Sequence, residues 1–275
     1  MRFVAALLMW VVTTVALAVA VPTAWAQKNI VDMNGYSAFA ASAAEDPALQ
    51  RAMAGELTTQ VTRLSDGQVS SDLVRGVAEA YTASPSFPGQ FAQANQIVHR
   101  WMFTDRISTD SEGRWVVDLA PMLSDSSFRQ TLSNFNVEVP SSLTVPVTVS
   151  SDLRPGQLRP LATWGPWVSV GATILAGVFA LLTLAVARSR GKALAALGVS
   201  ALLVGAAGWA ALEVARGYIN SALNNTTGDV RAVADAMVNH AEDGLHHWLN
   251  LTLAAGGALV ALGVVVSMLG GLRRS

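Results

Sequence analysis

There is no cysteine in the 275 residues. Disulfides, thiolate nucleophiles and thiolate-held zinc or iron–sulfur centres are therefore excluded. Any part of the chain that stands outside a membrane is held by its apolar core alone. Lysine is nearly missing too: Lys28 and Lys192 are the only two, and arginine supplies the remaining positive charge. Charged residues of both signs make up 13% of the chain, about half the share usual in soluble domains, while 52% of residues are apolar. This balance points to a membrane protein. A formal net charge of −1 leaves no basic field to attract nucleic acid, so no such partner is expected. Signatures of chemistry are also lacking. The chain has no G-x-S-x-G elbow, no H-E-x-x-H, no G-x-G-x-x-G and no phosphate-cradling glycine loop, and no cofactor is expected. The preference for arginine over lysine, with the wealth of alanine and valine, is associated with GC-rich bacterial coding.

What is present is a set of long apolar runs. The first spans Phe3 to Val21, behind Arg2 and ahead of Pro22. Its length nearly reaches the roughly 20 residues needed to cross a bilayer, which favours an anchor. Ala24-Trp25-Ala26 has the small-x-small form of a signal-peptidase site, which favours removal. Residues 1–26 are thus a signal peptide or a signal anchor. Three more runs, Trp167–Ala187, Ala193–Leu212 and Leu249–Leu269, contain no Asp, Glu, Lys, Arg or His. Each can span as a helix that satisfies its own backbone, and the lack of ionisable groups disfavours a proton relay or ion path. Gly198, Gly205, Gly208, Gly256, Gly257 and Gly263 within them suit close helix contacts.

Orientation follows from the loops. Arg188, Arg190 and Lys192 crowd one short turn, Arg273 and Arg274 follow the last run, and Arg2 precedes the first. The positive-inside rule places all three in the cytoplasm, and Trp164, Trp167 and Trp248 at the opposite ends suit the headgroup layer. The expected organisation is an extracytoplasmic domain at 27–160, spans at 164–187, 193–213 and 248–270, an extracytoplasmic loop with an amphipathic helix at 214–246, and a cytoplasmic tail at 271–275. This is a multi-pass plasma-membrane protein with its main domain on the outer face. The fold class is mainly α: a helical membrane bundle of three or four spans plus a mostly helical outer domain with a small β element.

Within that domain, Asp46 and Pro47 read as the cap and first turn of a helix whose inner face is Leu49, Met53, Leu57, Val61 and Leu64. A second helix repeats the pattern through Leu73, Val77 and Tyr81. A third, "PGQFAQANQIVHRWMF", turns Phe91, Ala94, Val98 and Trp101 or Met102 inward. "RWVVDL" and "SSLTVPVTVS" read as short strands, with short helices in "APMLSDSSFRQTLSNF" between them. In the 214–246 segment, Val230, Val233, Met237 and Ala241 form an apolar stripe that can lie on the membrane or dock against the larger domain.

Few residues qualify for chemistry. His240, Asp243 and His247, at i, i+3 and i+7, fall on one side of an ideal helix. Two imidazoles and a carboxylate are a donor set for zinc or another divalent ion, with a position open for water. His99 would need a nucleophile partner to be catalytic; a histidine bonded within the fold is the plainer reading. Asp118 and Asp125 suit turn and capping roles. Glu213 and Arg216 are spaced for an ion pair at the end of a span.

"VDMNGYSAF", "EDPALQRAMA", "QANQIVHRWM", "WVVDLAPML" and "VTVSSDL", followed by a basic turn between two spans, resemble a family of actinobacterial, mycobacterial-type, multi-pass membrane proteins with an extracytoplasmic helical domain. The resemblance covers most of residues 27–215. It implies packing or turn roles for Asp32, Tyr36, Asp46-Pro47, His99, Asp118-Leu119 and Asp152-Leu153, and implies no activity. The expected function is a non-enzymatic scaffold or accessory subunit of an envelope assembly, resting in the lipid bilayer with a membrane-protein partner or a second copy of itself. The rival expectations are an extracytoplasmic ligand or metal sensor acting through a partner, and an enzyme acting on an envelope lipid or wall precursor.

Overall fold

The computed structural model describes residues 2–64, 70–104, 115–118, 144–147, 156–224 and 226–272. The segment expected to hold short helices after the first strand, with Asp125, and the Asp152-Leu153 pair lie outside the described residues. The architecture is mainly helical: α1 (Arg2–Ala26) with a π-helical turn (Gln27–Val31), α2 (Met33–Ala43), α3 (Pro47–Leu64), α4 (Ser71–Thr82), α5 (Phe87–Phe103), α6 (Arg159–Val186), α7 (Arg190–Ala222) and α8 (Gly228–Leu272). Trp115–Asp118 and Thr144–Val147 pair as a two-stranded antiparallel ladder, with Trp115 opposite Val147 and Asp118 opposite Thr144. The chain divides into two compact units. One holds residues 1–27, 163–219 and 241–275; the other holds 28–162 and 220–240.

Among the described residues, four helices are long and apolar enough to cross a membrane: Val4–Val31, Arg159–Val186, Arg190–Ala222 and Gly228–Leu269. Two differ in extent from the sequence expectation. The first apolar helix continues through Pro22 and through Ala24-Trp25-Ala26. A proline removes one helical hydrogen bond, and in apolar surroundings neighbouring turns absorb that loss. The amphipathic segment and the last span are a single helix, α8. Gly244, expected to weaken it, is a modest cost spread over 45 residues of otherwise helix-compatible sequence.

In the first unit, α7 and α8 are joined along a seam of glycines. A Cβ on Gly198 would stand 2.6 Å from the carbonyl oxygen of Gly256, and one on Gly256 would stand 2.9 Å from that of Gly198. Gly191 likewise meets the Gly263 carbonyl, and Gly205 and Gly208 meet Leu253 and Leu249. The partners run in opposite directions, so the helices are antiparallel. Gly191, Gly198 and Gly205 recur every seven residues, as do Gly256 and Gly263, the period that keeps one seam facing a partner over several turns. Small residues let the backbones approach where lipid supplies no hydrophobic drive. Gly257 departs from the expectation: nothing lies within 4 Å of the position its Cβ would take.

Two polar contacts tie α1 to α7. The Trp10 indole N–H donates to the Ala196 carbonyl at 2.8 Å, and the Thr14 and Ser200 hydroxyls lie 2.8 Å apart. The four-residue step is the same on both helices and in the same sense, so α1 and α7 are parallel. Along its apolar runs the unit leaves large side chains open: Trp167, Ile174, Leu181 and Met268 are all exposed, as lipid-facing side chains would be.

The second unit is built on Ala40, Ala43, Leu49, Ala54, Leu57, Ala78, Phe87 and Phe91. α2 packs on α5 and α3 on α4. Asp46 caps α3 through its Oδ1, which accepts from the Ala48 N–H at 2.6 Å. The inner face of α3 is as its spacing indicates at Leu49, Leu57 and Val61. On α4, Tyr81 is buried and Val77 packs against the core, as the spacing indicates, while Leu73 is exposed and Val74 and Ala78 are buried as well. Ala78 belongs to the same core as the bulky Phe87 and Phe91, where a small residue fits without overpacking. Val233, Ala236 and Met237, at the start of α8, pack against this core. The amphipathic stripe thus docks on the helical domain.

The seam predicts unequal costs for one chemical change. Gly198→Ala should destabilise the protein by about 1–3 kcal/mol, the range for overpacking, because its methyl meets backbone atoms of the facing helix at Gly256 and Val260. Gly257→Ala should be neutral or slightly stabilising. Thermal unfolding of the two variants in the same detergent decides this, and equal effects would rule the seam out.

Candidate functional site

The helical unit buries one histidine. His99, on α5, is 5% exposed. Its ring lies against Tyr36 at 4.9 Å between centroids and stacks on Phe103 at 4.4 Å. Nε2 stands 2.9 Å from the Ile30 carbonyl oxygen. A carbonyl can only accept, so Nε2 carries the proton and donates. Nδ1 is left as a buried nitrogen without a hydrogen-bond partner. Burial lowers the pKa of His99 below the usual imidazole value, opposed by the Ile30 and Val31 carbonyls and by the charge of Asp32. The ring is neutral at pH 7.

The Ile30 carbonyl is available because the chain makes a π-helical turn there, and π turns leave carbonyls out of the usual register. Two neighbours hold the turn. Asp32 caps α2, its Oδ1 accepting from the Gly35 N–H at 2.7 Å. Gly35 lies under the Lys28 carbonyl, where any Cβ would collide with backbone oxygen. Next along the same pair of helices, the Tyr36 hydroxyl donates to Asn95 Oδ1 at 3.2 Å and Gln96 Nε2 donates to Ser37 Oγ at 2.8 Å. Asn95 is itself fixed to the Phe91 carbonyl. Burial pushes the Tyr36 hydroxyl up to about 12. This is a row of polar clasps between α2 and α5. A neutral imidazole flanked by two aromatic rings suits joining backbone to side chain; among the described residues no nucleophile is bonded to it.

The proposed metal set is not assembled. Among the described residues no three His, Asp or Glu side chains converge on a point that could hold an ion. The reason is the spacing. Residues seven apart on a helix are separated by roughly 10 Å along its axis, too far for His240 and His247 to share one ion at metal–nitrogen distances near 2 Å. His240 instead lies with its ring 5.0 Å from that of Phe39, while Asp243 and His247 are exposed.

In the other unit, sequence spacing missed the pairing that forms. Arg216 lies 3.6 Å from Glu242 through Nε and Oε2, whereas Glu213, its expected partner, is exposed. Glu242 is 7% exposed and its Oε1 has no hydrogen-bond partner. Beside it in the unit, His246 stacks on Trp209 at 3.7 Å, and the Trp209 N–H reaches Asn250 Oδ1 at 3.2 Å. The available signal was weak: a carboxylate and a histidine four apart at the entry to an apolar run. Comparison with protein-family models, curated proteins and solved structures finds no match.

Because the folded protein holds His99 neutral, the unfolded chain binds the extra proton below about pH 6.5. The stabilisation is complete above that value and lost as pH falls through it. Thermal midpoints should therefore drop between pH 7.5 and 5, and the His99→Phe variant, which keeps the ring stack, should show a flatter profile. An unchanged slope would exclude the assignment. For Tyr36 the sign is reversed: stability is present below about pH 10 and declines above it, and Tyr36→Phe should remove that decline. Separately, Arg216→Ala leaves a buried carboxylate without its cation and should destabilise more than the Arg216→Ala/Glu242→Leu double change. Unfolding of both in one detergent reads the difference.

Proposed function

We propose that this chain is a multi-pass protein of a bacterial plasma membrane whose helical domain, on the outer face, acts as a non-enzymatic scaffold or accessory subunit of an envelope assembly. The observation that carries the reading is a helical domain with a core of its own, in which the buried histidine is bound to backbone, on a chain with four helices fit to span a membrane. The resemblance to actinobacterial membrane proteins belongs to the same proposal. Orientation is argued from charge: the Arg188–Lys192 turn is the most basic short loop, and such loops stay in the cytoplasm.

The chain's lack of cysteine makes orientation directly measurable. A Ser71→Cys variant should react with a membrane-impermeant maleimide in intact cells, and a Ser275→Cys variant should react only after lysis. The reverse pattern would overturn the outer placement. For the scaffold role, in-cell crosslinking followed by native mass spectrometry of protein captured through a C-terminal tag should show added mass from a partner or a second copy. The subunit mass also reports whether residues 1–26 remain. A bare monomer with no crosslinked product would remove the scaffold reading.

A further inference from the structure

A cleft of about 680 Å³ opens in the first unit where α1, α6 and α7 meet at the basic turn. Its walls are apolar, with Leu7 and Trp10 from α1 and Val186 from α6. At the turn it is bordered by Arg188, Ser189 and Lys192. Among the described residues, no acidic one lines it. Arg188 and Lys192 are exposed, and Lys192 is one of only two lysines in the chain. The Trp10 indole N–H is already committed to the Ala196 carbonyl, which fixes its ring as an apolar wall.

We infer that this cleft binds an anionic phospholipid, its phosphate between Arg188 and Lys192 and an acyl chain along Leu7, Trp10 and Val186. Charge complementarity selects the occupant. The end of α6 and the start of α7 bring helix-dipole charges of roughly −0.5 and +0.5 to the same turn. These nearly cancel, and the two side-chain cations decide the sign. An apolar trough closed at one end by cations matches an amphiphile with a negative head. Basic pockets between membrane helices bind such headgroups for this reason. Ser189 adds a hydroxyl that can donate to a phosphate oxygen.

The test is native mass spectrometry of the full chain, with residues 1–26 retained, released from micelles holding equal phosphatidylglycerol and phosphatidylcholine of the same acyl chains. Bound lipid should be enriched in phosphatidylglycerol. The Arg188→Gln/Lys192→Gln variant should lose that enrichment by roughly five- to twentyfold. Arg190→Gln removes the same charge from the same turn but at a residue that does not line the cleft, and it should keep most of the enrichment. A loss from Arg190→Gln as large as that from Arg188→Gln or Lys192→Gln alone would mean diffuse attraction to the turn and would overturn the site. Equal retention of the two lipids would overturn it as well. Soluble glycerophosphate at millimolar concentration should not displace the lipid; displacement would show a phosphate site without a place for the acyl chain and overturn the commitment to lipid.

Discussion

The absence of a Cβ at a few positions sets how closely this chain packs. Backbone carbonyls of α7 and α8 lie where side chains would stand, at Gly198 against Gly256 and at Gly191 against Gly263. The same device recurs in the helical unit, where Gly35 lies under the Lys28 carbonyl and Gly55 faces the Asp229 carboxylate. A chain with no disulfide and few charges has limited means of fixing helices together. Close approach multiplies weak dispersion contacts and permits Cα–H···O contacts, each small and together sufficient to fix a register. The seven-residue spacing repeats that gain along the seam.

His99 in the helical unit and Glu242 in the other are both buried, and the two are handled differently. His99 avoids the cost of burial by staying neutral and donating a hydrogen bond from Nε2–H to the Ile30 carbonyl. Glu242 lies beside Arg216, which remains half exposed. An ion pair reaching toward solvent keeps part of its hydration and is worth less than a dry one, yet it spares the carboxylate from isolation. In the first case burial is tolerated through tautomer choice, in the second through a partner on another helix.

Much of the fold was legible in the sequence, and the limits have physical causes. The apolar runs identified helices because a bilayer leaves few alternatives for a spanning backbone. Asp46 with Pro47 marked the start of α3, and the glycines marked the seam, because both signals are local. The docking of Val233 and Met237 was one of two open choices, since an amphipathic stripe does not say what covers it. On α4 the spacing marked Val77 and Tyr81, but it put Leu73 in place of Val74 and passed over Ala78, which carries little hydropathic weight. The His240–Asp243–His247 set shared a side of a helix but not a reach, and angular periodicity alone ignores axial distance. The π turn that supplies the Ile30 carbonyl left no periodic signature, so the clasp on His99 was not foreseen.

Helix directions bring the basic segments together. The contacts of Trp10 with Ala196 and of Thr14 with Ser200 make α1 and α7 parallel, while the glycine seam makes α7 and α8 antiparallel. The start of α1 at Arg2, the start of α7 at the Arg188–Lys192 turn and the end of α8 at Leu272, which Arg273 and Arg274 follow in sequence, therefore belong to one end of the bundle. No charge rule was used to reach this arrangement; it comes from hydrogen bonds and missing methyl groups. Had the helices paired otherwise, the basic segments would have fallen on opposite ends and the charge rule would have given no consistent orientation. That packing and charge distribution agree is the strongest internal support for a bundle threaded through a membrane in a single sense.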